Sequence, residues 1–196
     1  MGNDFKWLGH ACFKVTGSKT VYIDPFELKG GDEADVVLVT HDHYDHLSVD
    51  DIKKVVTPGT EIFAPMNCTE KLAPLGAKFT GVQAGETYEA AGVAVQPVAA
   101  YNVGKEFHPR TLGVGYLVTM DGESFYHAGD TDLIPEMEGL KPDVALLPVG
   151  GTYTMTAEEA AEAFRKLGAK RAIPMHYGSI VGSDADAEKF SKLTGE

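Results

Sequence analysis

Residues 36–46 of this chain read VVLVTHDHYDH. The first four of these residues are apolar and mostly β-branched, which is typical of a buried strand. Residues 41–46 then place three imidazoles and two carboxylates within six positions. Packing so many polar groups into a core would be costly, whereas loops at strand ends commonly carry functional residues. The stretch therefore predicts a functional loop at the end of a buried strand.

The residue types in this loop indicate a transition metal. Neutral imidazole nitrogens and carboxylate oxygens suit zinc, iron or manganese better than magnesium or calcium, which prefer oxygen ligands only. His41 and His43 alternate along an extended loop and can face one ion, while Asp45 and His46 can face a second. A merely solvated loop would need no such spacing. We therefore predict a metal site with room for two ions.

The rest of the sequence alternates short strands with helices. Segments rich in β-branched residues predict strands over residues 12–15, 20–23, 36–39, 61–64, 93–98, 114–119, 123–127, 144–147 and 171–175. Capping residues and apolar spacing predict helices over residues 47–56, 69–75, 156–167 and 184–193. This order forms two similar halves, and two sheets sandwiched between helices would satisfy it.

The pattern His-x-His-x-Asp-His after an apolar strand resembles the signature of the metallo-β-lactamase fold superfamily. Three further segments match that family in the same order, namely Tyr22-Ile23-Asp24-Pro25, His127-Ala128-Gly129-Asp130-Thr131 and Ile173-Pro174-Met175-His176-Tyr177-Gly178. The resemblance extends over most of the chain. It implies an α/β fold, a four-layer αββα sandwich of two mixed β-sheets flanked by helices, formed as a single domain over residues 1–196.

The resemblance also implies a dinuclear metal centre. The implied ligands of one ion are His41, His43 and His108. The implied ligands of the other ion are Asp45, His46 and His176. Asp130 would bridge the two ions, and Asp24 would support the metal loop without binding metal. Asp45 and Asp130 are the implied catalytic residues, because a carboxylate there can orient the attacking water and carry its proton.

One ligand departs from the family pattern. The family usually places a histidine just after a central strand, but here that strand is followed by Ala99-Ala100-Tyr101-Asn102-Val103. His108 stands a few residues farther on and could return to the site. The amide oxygen of Asn102 is the alternative ligand, so the identity of this ligand stays open between the two residues.

Three residues are candidates for contact with substrate. His10, in a Gly-His segment near the N-terminus, could approach the site or be a structural histidine. Asn102 and Tyr153 follow strands that should end at the same edge as the metal loop. We expect all three to face a small-molecule substrate.

Composition and charge exclude several classes of protein. The 196 residues contain 17 Lys and Arg against 29 Asp and Glu, which gives a net charge of −12. That balance argues against broad binding to nucleic acid. No apolar run reaches the roughly 18 residues of a membrane helix, and the first residues lack the apolar stretch of a signal peptide. We therefore expect a cytoplasmic protein without membrane insertion.

The expected activity is that of a metal-dependent hydrolase. Water activated by two zinc ions, with Mn²⁺ or Fe²⁺ as alternatives, would attack a small ester, lactone or phosphodiester. Two other functions remain open: a mononuclear iron thiol dioxygenase, and a metal-dependent binding protein without turnover. The sequence leaves the oligomeric state undetermined.

Overall fold

The protein is described by a computed structural model that covers residues 2–196. Its first sheet contains six strands in sequence order: β1 (Asp4–Gly9), β2 (Cys12–Thr16), β3 (Thr20–Ile23), β4 (Val36–Leu38), β5 (Glu61–Pro65) and β6 (Lys78–Val82). The strands from β1 to β3 are antiparallel neighbours, and those from β3 to β6 are parallel neighbours. This sheet is therefore mixed.

The second sheet is also mixed and has six strands. They are β7 (Tyr88–Ala90), β8 (Val93–Ala100), β9 (Gly113–Met120), β10 (Glu123–His127), β11 (Val144–Pro148) and β12 (Arg171–Met175). The neighbours from β7 to β10 are antiparallel, whereas β10, β11 and β12 are parallel. Four α-helices complete the fold: α1 (Val49–Ile52), α2 (Thr69–Leu72), α3 (Ala157–Leu167) and α4 (Asp184–Thr194).

Two apolar clusters hold these layers together. The larger one contains residues of both sheets, among them Phe13 on β2, Tyr116 on β9 and Phe125 on β10. The smaller one joins the first sheet to α1 and α2 through Ile62, Ile52 and Leu72. Helices α3 and α4 pack on each other and on β11 and β12. Both sheets are thus covered by helices, which confirms the predicted four-layer αββα sandwich.

The structure corrects several predicted elements. Strands β1, β6 and β7 were not predicted from the sequence, and β7 is only three residues long. The helix predicted over residues 47–56 is reduced to α1, which ends at Ile52 and is followed by a turn before Pro58. The helix predicted over residues 69–75 ends as a 3₁₀ turn, Ala73–Leu75, because Pro74 cannot donate a backbone hydrogen bond. Short helices that lack a long apolar face are poorly determined by local pattern.

Strand direction brings the functional loops together. The parallel strands β3 and β4 end at one edge, and the antiparallel pairing makes β1 run in the same direction. In the second sheet, β8, β10 and β12 share one direction for the same reason. Loops at the carboxyl ends of such strands are the usual location of sites in α/β proteins. Within residues 2–196, no helix is long and apolar enough to cross a membrane.

Candidate metal centre

Side chains from six strand ends meet at this edge. The residues that follow β1, β3, β4, β8, β10 and β12 and enter the cluster are His10, Asp24, His41, His43, Asp45, His46, His108, Asp130 and His176. All seven residues that the sequence singles out as metal ligands belong to this cluster. Their possible ligand atoms form three groups, and within each group these atoms lie within 4.8 Å of one another.

The three groups overlap in a way that suits two ions. One group contains His41, His43 and His108. A second contains His10, Asp45, His46 and His176. The third contains His41, His46 and Asp130 and therefore links the other two. This arrangement brings together the same sets that the sequence predicts, with His10 as an addition.

Asp130 lies at the centre of the cluster. Its Oδ2 is 3.1 Å from Nε2 of His108 and 3.0 Å from Nε2 of His176, and its Oδ1 is 3.3 Å from Nε2 of His46. The side chain is almost fully buried. Burial alone would raise the pKa of Asp130, but the surrounding imidazoles, His176 and His46 foremost, hold that pKa well below its ordinary value. Asp130 is therefore a carboxylate that faces both halves of the cluster.

Asp24 orients the metal loop from behind. Its Oδ1 accepts the backbone N–H of Thr40 at 2.8 Å, and its Oδ2 accepts the Thr40 hydroxyl and Nδ1–H of His46, both at 2.7 Å. Because the Thr40 hydroxyl donates its proton to Asp24, it accepts Nδ1–H of His41 at 3.0 Å. Both imidazoles are thus left with Nε2 directed at the cluster. This is the supporting role that the resemblance implies for Asp24.

His108 is oriented by Asn102. The amide oxygen of Asn102 accepts both the backbone N–H of His108 at 2.9 Å and its Nδ1 at 3.0 Å. The amide nitrogen of Asn102 donates to the carbonyl of Tyr153 at 2.8 Å, which fixes the orientation of the amide. Since an amide oxygen can only accept, Nδ1 of His108 donates to it, and Nε2 is left directed at Asp130, 3.1 Å away. In this structure Asn102 therefore orients His108, and it is not among the residues that line the cavity, where the substrate prediction places it.

His10 also takes a different place from the one predicted for a substrate contact. Its Nε2 lies 2.9 Å from Oδ2 of Asp45, and its ring packs 4.0 Å from the ring of His176. The side chain is buried and does not line the cavity. The cause is the tight turn after β1, where Gly9 and His10 both have positive φ, at 115° and 49°. This turn directs the ring into the cluster, where it holds Asp45 in place.

The buried atoms of the cluster need a partner that the protein does not supply. Among residues 2–196, ten buried side-chain nitrogen and oxygen atoms have no hydrogen-bond partner, and seven of them belong to this cluster. They are His10 Nδ1, His41 Nε2, His46 Nε2, His108 Nε2, His176 Nδ1, His176 Nε2 and Asp130 Oδ1. Leaving a buried polar group unpaired costs about 1–3 kcal/mol. Imidazole lone pairs and a carboxylate oxygen are ligands for transition metals, so the donor set fits such ions.

Positive charge in the cluster is favoured only close to Asp130 and Asp24. Burial lowers the pKa of His41 well below its ordinary value and also lowers that of His43, so both rings are neutral near pH 7. At His46, burial acts in the same direction, but Asp130 and Asp24 outweigh it and raise the pKa well above its ordinary value. Positive charge is therefore stabilised beside Asp130, where a cation would have to bind.

A cavity of about 300 Å³ opens over this cluster. It is lined by His43, Tyr44, Asp45, Phe107, His108, Asp130, Tyr153, His176 and Ile180. Of the three predicted substrate contacts, only Tyr153 lines it. The sequence missed Tyr44, Phe107 and Ile180, and the only signal for the first two is their position beside a ligand. A larger groove of about 640 Å³ runs along α4 and is lined by none of the clustered residues. Its lining includes Tyr177, the residue that follows His176.

Comparison with known proteins identifies the family of this chain. The sequence model of the beta-lactamase superfamily domain matches residues 4–176. This chain belongs to the metallo-β-lactamase superfamily. The superfamily assignment made from the motifs is thereby confirmed.

Relatives place this superfamily member among the metal-dependent hydrolases. A protein of Methanoregula boonei named as a UPF0173 metal-dependent hydrolase is 40% identical over 196 residues, which covers 94% of this chain and 86% of that protein. The crystal structure of a candidate metal-dependent hydrolase from Parabacteroides distasonis matches with a TM-score of 0.86 and 33% identity, covering 97% of this chain and 87% of that one. Igni18, a metallo hydrolase from Ignicoccus hospitalis, matches with a TM-score of 0.81 and 26% identity, covering 98% and 90%.

Proposed function

We propose that this metallo-β-lactamase superfamily member hydrolyses a small ester, lactone or phosphodiester with a two-ion centre built around Asp130. The observation that carries the proposal is the set of seven buried, unpartnered imidazole and carboxylate atoms on residues that five strand ends bring into one cluster. A protein without bound metal would gain stability by replacing them with apolar side chains. Their presence is accounted for if they bind cations.

The proposed ligands follow the groups in the structure. His41, His43 and His108 hold one ion, and Asp45, His46 and His176 hold the other. Asp130 lies within 3.3 Å of imidazoles from both sets and is the proposed bridge. Its negative charge offsets the repulsion between two neighbouring cations. Zinc is the proposed metal because four or more of the ligands are imidazoles, and Mn²⁺ or Fe²⁺ could use the same set.

The chain positions the reactants in three ways. Ions bound here would polarise the scissile group and lower the pKa of water towards neutrality. Asp45, fixed by His10 and partly exposed to the cavity, is placed to orient the attacking water and accept its proton. Asp24 and Asn102 fix the orientation of His46 and His108, so the ligands need little rearrangement. Tyr153 is the proposed substrate contact among the predicted residues, because it lines the cavity.

The proposal extends to the domain organisation, the size of the substrate and the location of the protein. We propose that residues 1–196 act as one domain, since side chains of both sheets share one core. A small-molecule substrate fits the size of the cavity, and the charge of −12 argues against broad binding to nucleic acid. Cytoplasmic location stays a prediction from the sequence.

The experiment combines metal analysis with a panel of substrates. The protein is reconstituted separately with Zn²⁺, Mn²⁺ and Fe²⁺, its metal content is measured by mass spectrometry, and it is tested on a phenyl ester, a lactone and a phosphodiester. We expect about two ions per chain and hydrolysis of at least one substrate. Oxygen consumption with a thiol by the Fe²⁺ form, with one ion per chain, would instead indicate a thiol dioxygenase. Two bound ions without turnover on the panel would indicate a binding protein.

A further inference from the structure

The walls of the cavity above the ligands are apolar and exposed. Among residues 2–196, six large apolar side chains are exposed, and three of them, Tyr44, Phe107 and Ile180, line this one cavity. The Phe107 ring packs edge-on against Tyr153, with centroids 4.7 Å apart. Exposed apolar side chains that cluster around a cavity mark a binding surface, whereas single ones need no explanation. The apolar groups here surround the entrance to the proposed metal centre.

The same walls contain no fixed positive charge. No Lys or Arg among the described residues lines the cavity. The nearby cations are engaged elsewhere. Lys105 Nζ binds Asp132 at 2.7 Å and the carbonyl of Thr154 at 2.8 Å. Arg110 pairs with Glu136 and lies over the ring of Tyr101.

Lys71 also reaches the metal loop, where it donates to the carbonyl of Asp42, and it does not line the cavity. A phosphate or carboxylate carried by the substrate away from its reacting group would thus meet only aromatic and aliphatic walls. Such a group loses its hydration without a charged partner, which is unfavourable. The overall charge of −12 would add to this penalty.

We propose that the substrate is a neutral ester or lactone with an apolar group, aryl or short alkyl, that packs among Tyr44, Phe107, Tyr153 and Ile180. This inference rests on the proposed hydrolytic function and narrows its substrate class. In the reaction, the oxygen of water bonds to the acyl carbon and the acyl C–O bond breaks. The leaving oxygen takes a proton from water, so the products are a carboxylic acid and an alcohol, without any redox change. Esters that carry a phosphate or carboxylate away from the reacting group are poor substrates.

The test uses the zinc-loaded protein and the ratio of kcat/KM for phenyl acetate to that for methyl acetate. We expect Phe107→Ala and Ile180→Ala each to lower this ratio about tenfold, the effect of losing most of one buried apolar side chain. Leu193→Ala is the matched control, because Leu193 is 45% exposed, close to the 48% of Phe107 and 41% of Ile180, and lies on α4 away from the cavity. The control should keep the wild-type ratio. Metal content is measured for each variant, because Phe107 precedes the ligand His108.

A variant that introduces a positive charge tests the substrate preference in the opposite direction. Ile180→Lys places an ammonium at the entrance, and we expect it to lower kcat/KM for phenyl acetate and to raise it for a phosphorylated alkyl ester. Unchanged preference in Phe107→Ala, Ile180→Ala and Ile180→Lys would overturn the proposal. So would a wild-type protein that prefers the phosphorylated ester over phenyl acetate.

Binding of a non-reacting analogue separates this inference from the hydrolytic proposal. If the wild-type protein hydrolyses no substrate, the proposed function fails, and the affinity of the zinc-loaded protein for phenylacetamide and for phosphoglycolate is measured by calorimetry. Tighter binding of phenylacetamide, weakened in Ile180→Lys and retained in Leu193→Ala, would support an apolar ligand. Tighter binding of phosphoglycolate, or binding of neither compound, would overturn it.

Discussion

The two ends of the sheets use aspartates in opposite ways. At the end opposite the candidate site, Asp35 and Asp143 precede β4 and β11. Asp35 accepts the backbone N–H of Thr20 at 2.8 Å and pairs with Lys19. Asp143 accepts the N–H and hydroxyl of Ser124 at 2.7 and 2.9 Å and pairs with Lys170. At the site end, Asp130 is surrounded by imidazoles instead, and its Oδ1 has no hydrogen-bond partner.

This difference distinguishes structural carboxylates from functional ones. A carboxylate whose oxygens accept hydrogen bonds from amides, hydroxyls and lysines has its hydrogen-bonding capacity satisfied within the protein. Its role is to link neighbouring segments of the sheet. A buried carboxylate among imidazoles with unpartnered atoms has capacity left for a cation. Asp24 combines both uses, because its oxygens are fully engaged and it thereby orients the ligands. The partners of a strand-end aspartate therefore tell more about its role than its position does.

The largest effect should come from Asp130→Asn. The substitution keeps the shape of the side chain but removes the charge that offsets repulsion between two cations. We expect at least one ion to be lost and hydrolysis to fall by orders of magnitude, because activation of water depends on both ions. Asp143→Asn is the matched control at the opposite end and should keep metal and activity. Two retained ions with near-normal turnover in Asp130→Asn would refute the contrast between the two ends.

The next largest effect distinguishes the proposed ligand His108 from Asn102, the residue that orients it. His108→Ala should abolish binding at the site of His41 and His43. Asn102→Ala should lower the affinity for the same ion by about 10–100-fold, the usual effect of removing a group that orients a ligand. Competition with a zinc chelator measures both affinities. If Asn102→Ala weakens binding more than His108→Ala does, the two residues exchange roles, and the amide is the ligand.

A third prediction concerns the close approach of Gly113 on β9 to Thr40 and His41 in the metal loop. A Cβ at Gly113 would stand 2.7 Å from the Thr40 carbonyl oxygen and 2.7 Å from His41 Cβ. Gly113→Ala must therefore displace the metal loop, and we expect a loss of about 1–3 kcal/mol in the free energy of unfolding together with weaker metal binding. Gly59→Ala is the control, since its nearest neighbour would be 3.7 Å away. Urea denaturation with equal stability of the two variants would contradict this view.

The smallest effect is a pH dependence at the opposite end. The Lys170 ammonium, with the N–H and hydroxyl of Ser124, lowers the pKa of Asp143 to about 2. Because the folded-state pKa is depressed, the stabilisation by this group is present above its ordinary value of 3.8 and is lost as pH falls towards 2. Asp143→Asn should therefore lower the melting temperature modestly at pH 6 and not at pH 2. An equal loss at both pH values would show that the charge of Asp143 contributes nothing.

The sandwich and the proposed ligand set are both implied by the resemblance to the metallo-β-lactamase superfamily, and the local pattern of strands is consistent with them. Apolar strands such as Val144–Pro148 are evident by composition, and the ligands stand at the ends of such strands. Because parallel strands end at the same edge of a sheet, the residues that follow them lie close together. The motif in residues 41–46 is dense enough to indicate a metal site by itself.

Other features depend on the paths of loops, which local pattern does not determine. The inward position of His10 results from two successive positive φ angles after β1. The contact between Asn102 and His108 arises because the chain between them returns on itself. Ile180 reaches the cavity from a loop with no recognisable signal. The edge strand β7 is too short for its pattern to be distinct.

Anomalous X-ray diffraction from crystals of the zinc-loaded protein would locate the two ions that we propose on either side of Asp130. We expect two zinc peaks, one among His41, His43 and His108 and the other among Asp45, His46 and His176, with Asp130 in contact with both. A single peak, or peaks that leave Asp130 uncoordinated, would overturn the two-ion proposal.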